Sequence, residues 1–465
     1  MPVSSELAFA TIPELGRRLR AKEFSAVELA TFFLDRASVI GREHNAIVTL
    51  TSELALKQAA QADRELAAGQ DRGPLHGIPY GAKDLLATAG IPTSWGAAPY
   101  QEQVFDTDAT VIVRLRNAGA VLIAKLAMVE IAGGFGYRQA NASFTGPGLN
   151  PWDKKAWSGG SSSGPGAAVA AGVVPFAIGS ETWGSIMTPA AYCGLSGLRP
   201  TYGRVSRHGA MALSWTMDKL GPMCRTAEDC GLVLHAIAGS DPADPTSAPY
   251  HYEFPPSAPL KGPFKLATLV EPSKWQPEVK ENFEKSLSLL KQFATFEEVE
   301  LPDLPYGEVA GTFIACEMAA AFEQLVSSGD VWELTAPEDR PGGHAAQFIP
   351  ARDYINAFRI RVKIQRALDE ILARFDAIVT PTMPAVAVPN DTDFRKYFAP
   401  HSGSKIGGAG NAAGIPAISI PNGFGERGLP TGVQFVGRAF EENKLLAIAQ
   451  KYQSVTKWHL ETPKS

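Results

Sequence analysis

Apolar and polar positions along this chain follow two rhythms, and the change from one to the other predicts alternating helices and strands. Near the start, Leu29, Phe32, Phe33 and Ala37 recur at helical spacing, with Arg36 among them, so one face of a helix turns inward. Thr11-x-x-Glu14 and Ser25-x-x-Glu28 each match a capping box, which places two helix starts there. Residues 108–117 predict another helix, with Val111, Ile112, Leu115 and Ala118 on one side and Gly119 to end it. The apolar run Ala120, Val121, Leu122, Ile123 and Ala124 then reads as a buried strand.

The same unit recurs. Pro165 suits a first helical turn, 167–171 continue it to Gly172, and 173–178 read as a strand buried on both faces. Further strands are predicted at 266–270, 377–379 and 433–436, and helices at 277–293 and 353–375. Alternation of this kind predicts an α/β fold with a large mixed, twisted sheet covered by helices on both faces. All 465 residues are expected in one domain, as no internal repeat divides them. Proline-rich shifts at 240–263 and 381–404 read as surface connections rather than boundaries.

Composition narrows the function without choosing it. A 45% hydrophobic, 20% charged chain of net charge −5 has no basic excess, so neither nucleic acid nor an anionic membrane is an expected partner. No apolar run approaches the roughly 20 residues of a membrane helix. The start, Met1-Pro2-Val3-Ser4-Ser5-Glu6, has no basic-then-apolar leader, and the four cysteines show no C-x-x-C spacing. A reducing cytoplasm with free thiols is expected, and Cys193 and Cys224 read as core packing. The eight histidines form no ligand spacing, so no metal is expected. Gly408, Gly410 and Ala413 match a dinucleotide fingerprint, but no strand pattern precedes them, and no cofactor is expected either.

Chemistry concentrates in two glycine-serine clusters. Ser161, Ser162, Ser163 and Ser185 lie among glycines, which could mean a flexible linker. An apolar helix and a buried strand separate the clusters, however, and that holds them on a core, where sites collect. Lys83, beside Asp84, reads by itself as a surface lysine.

The runs Gly159-Gly160-Ser161-Ser162-Ser163-Gly164 and Gly179-Ser180-Glu181-Thr182-Trp183-Gly184-Ser185-Ile186-Met187-Thr188-Pro189 resemble the signature of the amidase signature family. The resemblance continues at Gly77-Ile78-Pro79 with Lys83-Asp84, at 150–151, at 197–206, and near the end at 411–417 and 428–434. Only about 240–400 lacks recognisable motifs, a region that shapes the substrate pocket in such enzymes. The resemblance implies a serine–cis-serine–lysine triad: Ser185 as nucleophile, Ser161 as bridge after a cis peptide bond, and Lys83 as base. Gly160, Ser162 and Glu181 would support it, and the backbone amides of Thr182, Trp183, Gly184 and Ser185 would form the oxyanion hole. Burial would have to lower Lys83 by roughly three pH units, a cost of about 4 kcal/mol, before it could accept a proton. Glu181, Trp183 and Met187 depart from the family's aspartate, glycine and arginine. They imply a replaced ion pair and a reshaped nucleophile loop.

The implied activity is hydrolysis of a small-molecule amide through an acyl-enzyme, with ester or carbamate (urethanase) side activity. Phe313, Phe322, Trp332, Phe348, Tyr354 and Phe358 are expected either in the core or as pocket walls for aryl or alkyl groups. A homodimer is compatible with this reading. The alternative is the A subunit of a glutamine-dependent tRNA amidotransferase complex, which 201–206 and 218–223 resemble closely. A catalytically inert binding protein on the same fold is a third class, disfavoured by the intact Lys83, Ser161 and Ser185.

Overall fold

The computed structural model describes residues 5–258, 260–272 and 274–464. Residues 1–4, part of the start weighed above for a leader, and Pro259, within the 240–263 stretch, lie outside the described residues. Eleven strands form one mixed sheet. In spatial order they are Ile47–Leu50, Val121–Leu126, Pro79–Lys83, Phe176–Glu181, Lys219–Cys224, Ser196–Arg199, Ala417–Phe424, Pro430–Val436, Ala377–Pro381, Phe264–Leu269 and Ala294–Val299. Alternate residues of one strand enter different apolar clusters: Ala377 and Val379 pack into one, Ile378 into the other. Both faces of the sheet are therefore covered, as period-two strands sandwiched between helices require.

Predicted elements and observed ones differ at instructive places. Ser25 forms both halves of its capping box, accepting from Glu28 N at 3.0 Å while Glu28 Oε2 takes Ser25 N at 2.7 Å. Thr11 forms only one half, because the Glu14 carboxylate turns outward to Arg17. The strand expected at 173–178 begins instead at Phe176 and runs to Glu181. Pro175 lacks the N–H a ladder needs. Gly179, Ser180 and Glu181 pair with Gly221, Leu220 and Lys219, carrying the strand into the second serine cluster. The helix expected at 353–375 spans Ala351–Leu372, starting directly after Pro350. Six of the eleven strands were not predicted; Pro79–Lys83, with sequence PYGAK, is one of them.

The glycine-serine run is not a linker. Helix Ser163–Ala170 is buried along its whole length. A Cβ at Gly164 would sit 2.4 Å from Ala127 N, and one at Gly166 would sit 2.9 Å from Pro189 Cβ. Small residues there let helix and sheet approach to backbone contact. The fingerprint glycines 408 and 410 lie inside helix Ile406–Ala413, not in a strand-to-helix turn. No helix among the described residues is long and apolar enough to cross a membrane.

Candidate active site

Lys83 ends the strand Pro79–Lys83, which runs parallel to Val121–Leu126 on one side and Phe176–Glu181 on the other. Ligand sites in such sheets gather at the carboxyl ends of parallel strands, and the residues around Lys83 do so. Lys83 is wholly buried, which excludes the surface reading. Its Nζ donates to Ser161 Oγ at 2.7 Å and to Ser180 Oγ at 2.9 Å. Burial, only partly opposed by the Asp218 and Glu181 charges, brings its pKa down to about 7. Neighbouring Asp84 faces elsewhere, pairing with Lys125 at 3.2 Å and accepting from Ser94 N at 2.8 Å.

Ser161 follows a cis peptide bond from Gly160. Glycine is required at 160, because a Cβ would meet the Trp157 ring at 2.5 Å and Val129 at 2.9 Å. Ser162 links the two clusters: its amide donates to Ser185 O at 3.3 Å, and its hydroxyl donates to Ser180 O at 3.2 Å. Lys83, Ser161, Ser162 and Ser185 are thus brought to one place from distant parts of the sequence.

Ser185 sits in the short loop between strand Phe176–Glu181 and helix Met187–Cys193. Gly184 takes φ +84°, a left-handed conformation that glycine adopts without steric cost. Glu181 holds the far side of the loop, its Oε2 accepting from Ile186 N at 2.9 Å and Met187 N at 3.0 Å. Its other oxygen pairs with buried Arg199 at 3.0 Å. Burial opposes ionisation of Glu181, but Arg199, Lys219 and those two amides outweigh it and hold the carboxyl below its ordinary value. A buried ion pair thus holds this loop, with Arg199 as the cation.

The near side of the loop is held through Thr182. Its Oγ1 donates to Asp218 at 2.5 Å, and its carbonyl accepts from Lys219 Nζ at 3.2 Å. Among the described residues, the amides of Trp183, Gly184 and Ser185 donate to no protein group, and the Ser185 hydroxyl is likewise uncommitted. Trp183 is 43% exposed and lies against two glycine-bearing helix starts. A Cβ at Gly408 would approach its ring at 3.4 Å and one at Gly307 at 3.5 Å.

Cavities flank this loop on both sides. One, of about 160 Å³, reaches Ser180 and Thr182 and has apolar walls from Leu85, Ala132, Met211 and Leu213. The other, of about 380 Å³, is bounded by Trp183, Gly184, Met187, Thr188 and Met383. Their carboxylates and guanidinium groups are engaged by protein partners: Asp218 by Thr182 and Ser214, Arg207 by Tyr202 and Thr246, Glu181 by Arg199. None of the six aromatic residues weighed as pocket walls lines either cavity. Phe313 and Phe322 are core, whereas Trp332 and Phe348 are exposed, Phe348 to 84%. Cys193 is buried and donates to Ser158 O, in keeping with core packing.

Four participants were not singled out as site residues from the sequence: Ser180, Arg199, Asp218 and Lys219. All four stand inside stretches that carried the family resemblance, which is the signal that could have found them.

Comparisons with known proteins place the chain among relatives. A family profile described as Amidase matches residues 28–446. The A subunit of glutamyl-tRNA(Gln) amidotransferase from Picosynechococcus sp. is 35% identical, with 98% of this chain and 99% of that protein covered. A solved structure described as a vestigial protein complex bearing on the origins of an s-triazine catabolic enzyme superposes with TM-score 0.88 at 27% identity, covering 98% of this chain and all of that one. The native peptide amidase from Stenotrophomonas maltophilia superposes with TM-score 0.83 at 30% identity, covering 96% and 97% of the two chains. With a profile match over nine-tenths of its length, the chain belongs to the amidase signature family.

Proposed function

We propose that the chain hydrolyses the C–N bond of a neutral carboxamide through an acyl-enzyme formed on Ser185. The carrying observation is the wholly buried Lys83, its Nζ 2.7 Å from Ser161 Oγ and its pKa near 7. A lysine so placed is neutral in a large fraction of molecules at physiological pH and accepts a proton. In the proposed reaction Ser185 Oγ attacks the carbonyl carbon and passes its proton to Ser161, which passes its own to Lys83. The developing oxyanion takes hydrogen bonds from the uncommitted amides of the 182–185 loop, each such donor contributing ~3 kcal/mol. Protons returning along the same relay let the amine leave as a neutral molecule. Water then attacks the ester of Ser185 with the same relay as base. Esters and carbamates present the same carbonyl, and side activity on them follows.

A neutral acyl group is favoured because Leu85, Ala132, Met211 and Leu213 wall the smaller cavity and its carboxylate Asp218 is taken by Thr182 and Ser214, although Arg207 Nε and Arg199 Nη2 have no hydrogen-bond partner among the described residues. A second reading is release of ammonia from glutamine within a multi-protein complex. It is favoured by the 35% identity, over 98% of the chain, to one component of a tRNA-dependent amidotransferase. Glutamine brings an ammonium and a carboxylate, both of which would need counter-charges.

The test is the purified chain alone, offered a neutral acyl p-nitroanilide, a neutral primary amide and glutamine. Turnover of the neutral amides, with acyl mass trapped on Ser185 and lost in Ser185→Ala, supports the first reading. Turnover of glutamine alone, or no turnover until partner proteins are supplied, replaces it with the second.

A further inference from the structure

The nucleophile loop is gripped by a second buried lysine that the relay does not use. Lys219 opens the strand Lys219–Cys224, directly opposite Glu181 in the ladder, and is 2% exposed. It forms no ion pair within 4.0 Å among the described residues. Its Nζ is given instead to two neutral oxygens, Thr182 O at 3.2 Å and Asn411 Oδ1 at 3.0 Å. Asn411 is itself fixed, donating to Gly407 O at 2.9 Å within its own helix. The side chain of Thr182 is pinned separately by Asp218, which also accepts from Leu213 N at 2.8 Å and Ser214 N at 2.9 Å. Lys219 is thus left with the peptide group.

That peptide joins Thr182 to Trp183. In a planar trans peptide the C=O and N–H point in opposite directions, so holding the oxygen of Thr182 sets the direction of the Trp183 N–H. A donor on the carbonyl also polarises the unit and strengthens the N–H at its other end, the more so in a buried site. The Trp183 N–H is among the loop amides with no protein acceptor among the described residues.

We propose that Lys219 is a positioning residue for the oxyanion site: by holding the Thr182 carbonyl it aims and strengthens the Trp183 amide as a donor to the oxygen that becomes negative in the transition state. This rests on Ser185 being the nucleophile, and the two ideas fail separately. An interaction that matters only as charge develops lowers kcat and spares KM. A lysine that merely fills space affects stability and leaves that split alone.

The experiment compares Lys219→Met and Lys219→Gln with the parent chain on a neutral acyl p-nitroanilide, together with binding of the matching peptide-free aldehyde, which forms a tetrahedral adduct with a serine. Expected for Lys219→Met is a kcat lower by roughly 10- to 100-fold, short of the 10²–10³ for deleting a donor outright. KM should stay within about threefold, and aldehyde affinity should fall by the same factor as kcat/KM. Lys219→Gln, which keeps a donor, should recover part of the loss. Unchanged kcat in Lys219→Met, a loss confined to KM, or equal weakening of the aldehyde and of the unreactive alcohol analogue would overturn the proposal. Should Lys219→Met not fold, the same comparison on Lys219→Gln decides, with reduced kcat and spared KM supporting it and unchanged kcat overturning it. Full activity in Ser185→Ala would instead remove the nucleophile assignment, whatever the Lys219 variants do.

Discussion

Lys83 Nζ meets Ser161 Oγ at 2.7 Å across 78 residues of sequence, inside a core that water does not reach. Burial is what makes the lysine useful as a base, and the same burial makes it costly to the fold. Only the neutral amine accepts a proton, so kcat/KM on a neutral anilide should climb with pH through about 7 and level off above it. A profile flat from pH 5.5 to 9 would remove Lys83 from the relay.

The stability of Lys83→Met should move in the opposite sense. A lysine with pKa near 10.5 unfolded and about 7 folded holds its proton less tightly in the native state, a cost fully present below about pH 7 and vanishing as pH nears 10.5. Removing the amine should therefore abolish turnover while raising the melting temperature, more at pH 6.5 than at pH 9.5. A variant that melts lower at both pH values would show that the hydrogen bonds to Ser161 and Ser180 outweigh the desolvation.

How far the sequence showed these features depended on the kind of force involved. Elements with periodic apolar faces were legible: 108–117 predicted the helix Thr110–Asn117, and 120–124 the strand Val121–Leu126. The strand that delivers Lys83 was not, because Pro79–Lys83 draws its order from parallel neighbours on both sides rather than from a pattern of its own. Ser161, Ser185 and Lys83 were legible only through motif resemblance. Lys219 lay inside a motif stretch, but its role did not show, because that lies in contacts with Thr182 and Asn411, the latter 192 residues away. Trp183 showed as an anomaly, while the glycines at 307 and 408 that accommodate its ring could not be linked to it by spacing.

Trp183 should govern the size preference of the site. Its half-exposed indole bounds the larger cavity, with Met187 and Met383 among the other walls. Trp183→Gly removes that wall yet leaves the loop's backbone amides in the chain. The expected result is a change of about tenfold or more in the kcat/KM ratio between a bulky anilide and a small primary amide, within the roughly 1–3 kcal/mol that apolar pocket contacts provide. Equal effects on both substrates would mean that the ring supports the loop without sorting substrates.

Breaking the Glu181–Arg199 pair should cost more than a surface bridge does. Both groups are buried, and Glu181 also takes two amides at the start of the following helix. Glu181→Gln leaves the guanidinium without its counter-charge, a loss on the order of 3–5 kcal/mol. Because the folded carboxyl titrates below its unfolded value of 4.5, its contribution is present above that pH and fades as pH falls through the folded pKa. Denaturant titrations at pH 7 and pH 3.5 should show a large difference between variant and parent at the first and a smaller one at the second. The same difference at both would indicate that packing, not charge, is lost.

Asp339 offers a prediction in the opposite direction. It begins the helix Asp339–Ala346, is wholly buried and has no ion-pair partner among the described residues. Burial first, then the charges of Glu130 and Glu338, push its carboxyl up to about 8. Glu130 keeps its own oxygens occupied with the amides of Thr335 and Ala336, at 2.8 and 2.7 Å, and cannot relieve its neighbour. A folded pKa above the unfolded 3.8 means that the native state holds the proton more tightly, so this group costs stability increasingly as pH rises from about 4 to about 8. Asp339→Asn keeps the shape and deletes the ionisation. Its melting temperature should exceed the parent's at pH 8 and converge with it near pH 4, with turnover of a neutral amide unchanged because Asp339 lines neither cavity beside Ser185. A variant less stable than the parent at pH 8 would mean that the ionised carboxylate is used in the native state.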